Sequence, residues 1–353
     1  MKISFILPCV IRIPIGGAKV VYQYAEKFAK RGHEVNIIAP RSEGYQFRDL
    51  MKVSAVKMRD WWHGIDDQPY YPTPNGVEYI EIPAPDPSFI PDADAIIATG
   101  WQTAYWVDIL PDSKGKKFYY IQNLETYQGD EKIIFDTWKL PLKKIVISGW
   151  LKEKANEIKE EAFGPIPNAV NSKEFYITNR FENRSKSILM HYHRLPIKGG
   201  NEGIKALTEL KKMIPDLVAT VFCSRKPFCS TPKWINLEIR PTADRLRNIY
   251  NNSSVFIHTS HQEGWGLPPM EAMASGCPVV AFKNEGILEY ISEGKSGLLV
   301  KVGDTSELIK SAVKLLTDRN LRIKIAEEGV KSVKQYSWEK SAEQFEKILL
   351  EQA

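Results

Sequence analysis

Residues 2–39 read KISFILPCVIRIPIGGAKVVYQYAEKFAKRGHEVNIIA, and the reading of this stretch decides the fold class. Lys2 to Pro8 is an apolar run of strand length. Val10 to Gly17 is a loop that ends in two glycines. From Lys19 to Arg31 the residues Val20, Val21, Tyr24, Ala25 and Phe28 recur at helical spacing and share one face. Gly32 stops that helix, and His33 to Ala39 is a second apolar strand. A strand, a crossover helix and a second strand join parallel neighbours, so the class is α/β.

The same alternation continues outward. Further strands are expected at about Val77–Ile82, Ala95–Ala98, Lys117–Gln122 and Lys144–Ser148. Met58 to Pro91 is otherwise rich in Pro, Asp and aromatics and reads as irregular surface structure. Trp150 to Glu161 is a polar helix, and the turn-rich run from Phe163 to Phe175 is a linker. A second series follows, with strands at Ser187–Tyr192, Leu217–Cys223, Ile235–Ile239, Val255–Thr259 and Cys277–Phe282. Helices are expected at Gly199–Met213, Leu267–Ala274, Thr305–Leu316, Arg319–Val333 and Ser337–Leu350. The chain has 353 residues, above the roughly 250–300 at which single cores stop growing. The expected organisation is an N-terminal Rossmann-like domain over 1–170, a second over 171–335, and a C-terminal helix over 336–353. Two such halves are expected to face a central cleft at the carboxyl ends of their strands.

Bulk properties narrow the function. Hydrophobic residues make up 43% and charged residues 26%, an ordinary globular balance. A net charge of +5 is too weak to indicate nucleic acid. It suits a phosphate-bearing ligand or a loose contact with an anionic membrane surface. Cys9, Cys223, Cys229 and Cys277 show no paired spacing, so neither zinc nor a disulfide framework is expected. The N-terminal apolar run is too short for a signal peptide and reads as a strand. No stretch approaches the roughly 18 apolar residues of a membrane span. The expected location is the cytoplasm, with a weak peripheral contact at the inner face of the membrane.

The chemistry concentrates between Glu263 and Glu271, in the run Glu-Gly-Trp-Gly-Leu-Pro-Pro-Met-Glu. Glu263 ends a glycine-flanked loop, and Glu271 is expected in the first turn of a short helix. A carboxylate accepts paired hydrogen bonds from neighbouring sugar hydroxyls, so two of them can grip two rings of one ligand. Glycines let backbone N–H groups approach a phosphate, and a helix start adds its partly positive end. A second cationic run, His193-Arg194-Leu195-Pro196-Ile197-Lys198-Gly199, follows a strand and opens a helix. Arg194 as a planar fork and Lys198 as a point charge could clamp a diphosphate and neutralise charge on a leaving nucleotide.

These motifs resemble the retaining family-four, or group 1, glycosyltransferases, which have the GT-B fold. The family signature is E-x7-E, and here it spans Glu263-Gly264-Trp265-Gly266-Leu267-Pro268-Pro269-Met270-Glu271-Ala272-Met273-Ala274. Ser275-Gly276-Cys277-Pro278-Val279-Val280, Gly286 to Glu289 and Gly297-Leu298-Leu299-Val300 are also similar to the family. The resemblance implies that Glu263 faces the donor sugar and Glu271 holds the ribose hydroxyls. It further implies that the backbone of Gly264, Trp265, Gly266 and Leu267 touches sugar and phosphate. The Arg194…Lys198-Gly199 run matches a family element but is one residue shorter than the common form. Gly16 and Gly17 match the family's N-terminal Gly-Gly loop near the donor phosphates. They are not part of a G-x-G-x-x-G fingerprint, and no acid closes the second strand, which argues against NAD.

The first half departs from the family. Many members carry a His after the strand equivalent to Ala95–Ala98, whereas this chain reads Thr99-Gly100-Trp101-Gln102-Thr103. Gln122, Asn123 and Glu125 lie in a segment similar to members that build surface polysaccharides, often rhamnose-linked, and could line the acceptor side or only pack and turn. Trp61, Trp62, Tyr70 and Tyr71 could stack on sugars, sit at a membrane interface, or pack a surface loop. His191, His193, His258 and His261 flank the motifs without metal spacing and read as supporting residues. Asp92-Ala93-Asp94 matches a D-x-D metal motif but precedes its strand, so no metal and no other cofactor is expected. Ser337 is a candidate N-cap for the last helix, which the resemblance implies crosses back to the first domain.

The resulting expectation is a retaining transferase. It would move a hexosyl or deoxyhexosyl group from a nucleoside diphosphate sugar to a glycan, lipid-linked or other hydroxyl acceptor, in cell-surface polysaccharide or glycoconjugate synthesis. Nucleic acid is not expected as a partner. The competing readings are a nucleotide-sugar epimerase of the same fold and a non-catalytic sugar-binding protein.

Overall fold

The computed structural model describes residues 1–44, 54–55, 57–58, 60, 62, 64–65, 67–184 and 186–352. It divides into two compact units, Met1–Pro167 together with Trp338–Ala353, and Asn168–Ser337. The boundaries fall at 167/168 and 337/338, where 170/171 and 335/336 were expected. The reason lies in what each segment packs against, as described below.

The first unit holds seven strands among the described residues: β1 (Lys2–Ile6), β2 (Glu34–Pro40), β3 (Val77–Ile82), β4 (Ala95–Ala98), β5 (Lys116–Ile121), β6 (Lys143–Val146) and β7 (Ala162–Phe163). They lie in the order β3-β2-β1-β4-β5-β6-β7, and every pairing is parallel. Among its helices are α1 (Gly16–Lys30), α2 (Trp101–Asp108), α3 (Glu131–Trp138) and α4 (Gly149–Glu157). Helix α1 begins three residues before the expected Lys19, so Gly16 and Gly17 are its first two residues rather than the end of a loop. The five residues read as its buried face are all buried.

The expected linker starts too early. Ala162 and Phe163 form β7 against Lys144 and Ile145 of β6, so the sheet continues to 163. This also shortens the expected helix over 150–161. Helix α4 ends at Glu157, and Lys159 takes a left-handed φ of 61°, which turns the chain into β7.

The second unit carries β8 (Ser187–Tyr192), β9 (Val218–Cys223), β10 (Ile235–Ile239), β11 (Val255–His258), β12 (Val279–Phe282) and β13 (Leu298–Val300). Their order is β10-β9-β8-β11-β12-β13, again all parallel. Between and after them come α5 (Gly200–Met213), α6 (Ala243–Asn252), α7 (Leu267–Ala274), α8 (Glu285–Leu288), α9 (Thr305–Thr317) and α10 (Arg319–Val333). Buried polar groups are held here by charge. The Arg184 guanidinium donates to the carbonyls of Gly276 (2.6 Å), Ser275 (2.7 Å) and Asn179 (3.0 Å), and reaches those of Tyr250 and Ser253. It thereby satisfies the carboxyl ends of α6 and α7, where a cation is favoured.

The last helix, α11 (Trp338–Gln352), belongs to the first unit. Phe345 packs edge-on against Tyr24, Phe28 and Phe5, and its ring centre is 5.1 Å from that of Tyr120. Trp338 packs on Tyr24 at 5.3 Å. Ser341 donates to the Pro167 carbonyl across 2.6 Å, which ties the helix to the last residue of the first segment. Arg31 and His33 both reach Glu346.

In a doubly wound sheet, ligands bind beyond the carboxyl ends of the strands where the order reverses. That point falls between β1 and β4 in the first unit and between β8 and β11 in the second. Among the described residues no helix is long and apolar enough to cross a membrane.

Candidate functional site

The second unit places its charged residues at that reversal. Lys198 lies in the connection from β8 to α5, and Glu263 in the connection from β11 to α7. Their side chains meet: Lys198 Nζ donates to Glu263 Oε2 across 2.8 Å and to the Gln262 carbonyl across 3.0 Å. Both side chains are about five-sixths buried, 15% and 16% exposed. Burial pushes the Glu263 pKa up. The Lys198 charge, the adjacent His258 and the hydrogen bond from Lys198 outweigh burial and hold the carboxyl well below the usual carboxylate range. Glu263 is thus a fixed anion whose orientation is set by a fixed cation.

Glycines make this approach possible. Gly199 has a φ of 62°, and a Cβ there would lie 1.9 Å from the Thr259 carbonyl oxygen. The Thr259 hydroxyl donates to the Gly199 carbonyl. The β8 and β11 connections therefore touch backbone to backbone, which brings Lys198 beside Glu263. Below Glu263 lies Gly286 of α8, where a Cβ would meet the Glu263 carbonyl oxygen at 2.5 Å.

Three histidines, His258, His191 and His193, neighbour the pair, and a fourth, His261, lies on Glu202. His258 is 4% exposed, and its Nε2 lies 3.4 Å from Glu263 Oε1. His191 is pushed down to about 3 by burial, reinforced by His193 and His258. Burial and then the Lys198 charge lower His193, and its Nδ1 accepts the Leu195 N–H. His261 bonds both carboxylate oxygens of Glu202 at 3.0 Å.

Arg194 is placed differently from Lys198. Its Nε donates to the Lys226 carbonyl across 2.8 Å, and its guanidinium lies 4.0 Å from the centre of the Phe228 ring. Phe228 is 75% exposed and sits in the loop after β9. That loop walls a hollow of about 360 Å³ lined by Lys226, Cys229, Ser230, Thr231 and Lys233.

Glu271 lies in the second turn of α7, not the first, because the helix starts at Leu267 with prolines at 268 and 269. It is 7% exposed, and the buried Tyr250 hydroxyl lies 3.4 Å from its Oε2 and donates to the Pro268 carbonyl. The turn between the two glutamates is tightly built. Gly264, Trp265 and Gly266 are buried and Leu267 half-buried. Trp265 is 2% exposed, donates its Nε1–H to Met270 Sδ, and packs edge-on against Tyr336 at 5.3 Å. Its side chain is core, which leaves only backbone for a ligand. Gly266 has a φ of 88° and caps α7.

In the first unit Gly17 faces Gln122, whose Nε2 donates to the Gly17 carbonyl across 3.2 Å. The segment without the His is held by other bonds. Thr99 donates to the Ile6 carbonyl, Thr103 Oγ1 accepts from Thr99 N and Gly100 N, and Glu125 Oε2 accepts the Trp101 N–H across 2.9 Å. Glu125 does so from a left-handed φ of 61°. Tyr71 accepts from Ile15 N–H, donates to the Ile15 carbonyl and packs on Tyr22, so it braces the start of α1. Trp62 is 79% exposed, and Trp61 lies outside the described residues. Asp94 accepts the Lys2 N–H and Asp92 pairs with Lys114, two separate surface bonds. The four cysteines are free.

Sequence reasoning missed Glu202 and Tyr250. Glu202 could have been found, since it lies four residues beyond Lys198 in the first turn of α5. Tyr250 owes its place to tertiary contact, which no local pattern records.

Residues 235–332 match the family model described as glycosyl transferases group 1. A D-inositol 3-phosphate glycosyltransferase of Corynebacterium urealyticum is 39% identical over 108 residues, 31% of this chain and 25% of that protein. The capsular polysaccharide biosynthesis glycosyltransferase CapM of Staphylococcus aureus is 31% identical over 109 residues, 30% of this chain and 29% of CapM. The matched segment thus spans a quarter to three-tenths of these curated relatives. Whole-chain likeness is structural. Anabaena Alr3699/HepE, solved in complex with UDP-glucose, superposes with a TM-score of 0.77 at 17% identity, over 99% of this chain and 100% of that one. S. aureus TarM does so with a TM-score of 0.74 at 12% identity, over 99% of each chain. The two parallel sheets are those of a GT-B fold, and the segment that carries Glu263 and Glu271 matches the group 1 glycosyl transferases.

Proposed function

We propose that the protein is a retaining glycosyltransferase that moves a sugar from a nucleoside diphosphate sugar to a hydroxyl of a glycan or lipid-linked acceptor. The observation that carries this reading is the Lys198–Glu263 pair, a buried cation and anion 2.8 Å apart at the strand-order reversal. Such a pair offers a hydrogen-bond acceptor for sugar hydroxyls beside a donor for phosphate oxygens. Arg194 adds a second cation, and Glu271 a buried carboxylate for the ribose. The backbone of Gly264 to Leu267 completes the donor contacts of the second unit. The acceptor is assigned to the first unit, where Gln122 and Glu125 flank the starts of α1 and α2.

Charge on the departing diphosphate is assigned to Lys198 and Arg194, which act in the transition state without a divalent ion or other cofactor. The net charge of +5 supports a weak contact with the anionic inner face of the membrane.

The test is a thermal-shift series with UDP, GDP, ADP and dTDP, followed by the matching sugars. UDP comes first because Alr3699/HepE was solved with UDP-glucose. A ligand that binds only the folded state raises the melting temperature, by an amount set by its concentration over Kd. Turnover of the stabilising donor, with and without EDTA and with and without acceptor, then separates transfer from epimerisation and from metal dependence. No shift with any nucleotide defeats the reading.

A further inference from the structure

Glu263 is held on one oxygen by Lys198, and its other oxygen faces the ring nitrogen of His258. His258 is 4% exposed, and among the described residues its Nε2 has no hydrogen-bond partner. That nitrogen lies 3.4 Å from Glu263 Oε1, just beyond the 2.7–3.2 Å of a well-formed N–H···O bond. The ring cannot easily turn elsewhere. It projects from the last residue of β11 and stacks on Phe256, with centroids 6.2 Å apart and planes at 21°. A buried ring nitrogen without a partner is unfavourable unless it finds one during function. Sites of this kind are often loose before ligand binds and tighten in the complex.

We propose that His258 is a positioning residue for Glu263, presenting an Nε2–H that takes up Oε1 when an anionic ligand draws Lys198 away from Oε2. The chemistry follows from charge. A bare imidazole nitrogen aimed at a carboxylate would repel it, whereas an N–H donates to it, so the arrangement selects one tautomer. With Lys198 engaged by phosphate, His258 is the group left to hold the carboxylate in register for the sugar. The lysine movement rests on the proposed transferase function; the tautomer does not.

The experiment uses the full chain labelled with ¹⁵N-histidine. Long-range ¹H–¹⁵N spectra report the tautomer of each ring, and the His258 signals are assigned by their loss in His258→Gln or by contact with the Phe256 ring. The proposal expects an Nε2–H tautomer whose shifts move in Glu263→Gln. In turnover assays, His258→Leu lowers kcat about 10- to 100-fold, the size of effect that misplacing a reacting contact produces. Nucleotide Kd stays within about twofold, and His258→Gln, which keeps an N–H donor, recovers most of the rate. An Nδ1–H tautomer, shifts indifferent to Glu263→Gln, or an unchanged kcat in His258→Leu overturns the proposal. If the wild-type protein binds no nucleoside diphosphate, the transferase reading fails, while the spectra still decide whether His258 donates to Glu263.

Discussion

Lys198 and Glu263 lie 65 residues apart in sequence and share a 2.8 Å ion pair in which neither side chain is more than 16% exposed. Removing one member of such a pair strands the other without compensation and costs about 3–5 kcal/mol, whereas removing both is much less harmful. Lys198→Met and Glu263→Gln should each destabilise the second unit strongly, and the double variant should recover more than half of the loss. Urea unfolding followed by hydrogen exchange within residues 168–337 separates this unit from the other. All three variants should lose transfer activity, because the groups are assigned to the ligand as well as to each other.

Gly199 makes that pair possible, and Gly303 is its control. Both have positive φ, 62° and 83°, but only Gly199 is crowded, with the Thr259 carbonyl oxygen 1.9 Å from a built Cβ. Gly303→Ala should cost only the left-handed strain, about 1–2 kcal/mol. Gly199→Ala must also push two connections apart and should cost at least twice as much. Differential scanning calorimetry of the two variants measures the contrast, and equal losses would place the close approach in doubt.

Most of the fold could be read before the structure, for physical reasons that individual residues show. Strands β3, β4, β8 and β10 were placed to the residue because runs such as Ala95–Ala98 and Ser187–Tyr192 are apolar and end at turn-forming residues. Helix α2 was not expected. Its sequence, Trp101 to Asp108, has no apolar stripe of its own and is fixed at its start by Thr103 and by Glu125 from beyond β5. Of β7, Phe163 reads as the start of the linker because two residues carry no periodicity, and only pairing with β6 reveals the strand. Within the candidate site, Glu263, Glu271, Lys198 and Arg194 can be nominated from the sequence, but their partners in the fold cannot. The pairing of Lys198 with Glu263 and the stacking of Arg194 on Phe228 depend on how separate connections meet at the sheet edge.

Acid should weaken the second unit earlier than its carboxylates alone would suggest. His191 is held near 3 by burial, below its unfolded value of about 6.5. A depressed pKa means that the unfolded state binds more protons, so the contribution is fully present above about pH 6.5 and is lost as pH falls toward 3. Glu263 acts in the same direction, because its folded pKa is also depressed and its contribution fades as pH falls below about 4.3. Melting temperature against pH should therefore fall from about pH 6.5 downward. His191→Phe should flatten the upper part of that slope while leaving the fall below about pH 4.3.

The last helix should be as necessary to the first unit as any strand. Phe345 is fully buried among Phe5, Tyr24, Phe28 and Tyr120, so Phe345→Ala should cost about 3–5 kcal/mol. The surface ion pair of Lys27 with Glu339 joins the same elements, yet Lys27→Ala should change stability by no more than about 1 kcal/mol. Hydrogen exchange should show the Phe345→Ala loss spread over β1, α1 and β5. A loss confined to residues 338–352 would mean that the helix docks on an already stable domain.

Arg194 offers the sharpest separation of binding from folding. Among the described residues it makes one hydrogen bond, to the Lys226 carbonyl, and lies over the exposed Phe228 ring, so Arg194→Ala should leave the melting temperature nearly unchanged. A hydrogen bond between charged groups contributes about 1.5–3 kcal/mol, so loss of an Arg194–diphosphate contact should weaken binding roughly 10- to 100-fold. The loss should be larger for a nucleoside diphosphate than for the corresponding nucleoside. Phe228→Ala frees the guanidinium from its stacking partner, which is worth about 0.5–1 kcal/mol at an exposed site. It should therefore leave diphosphate affinity unchanged or raise it severalfold. Calorimetric titration of both variants decides the point. Equal weakening of nucleoside and nucleoside diphosphate by Arg194→Ala would assign this arginine to the loop after β9 rather than to the ligand.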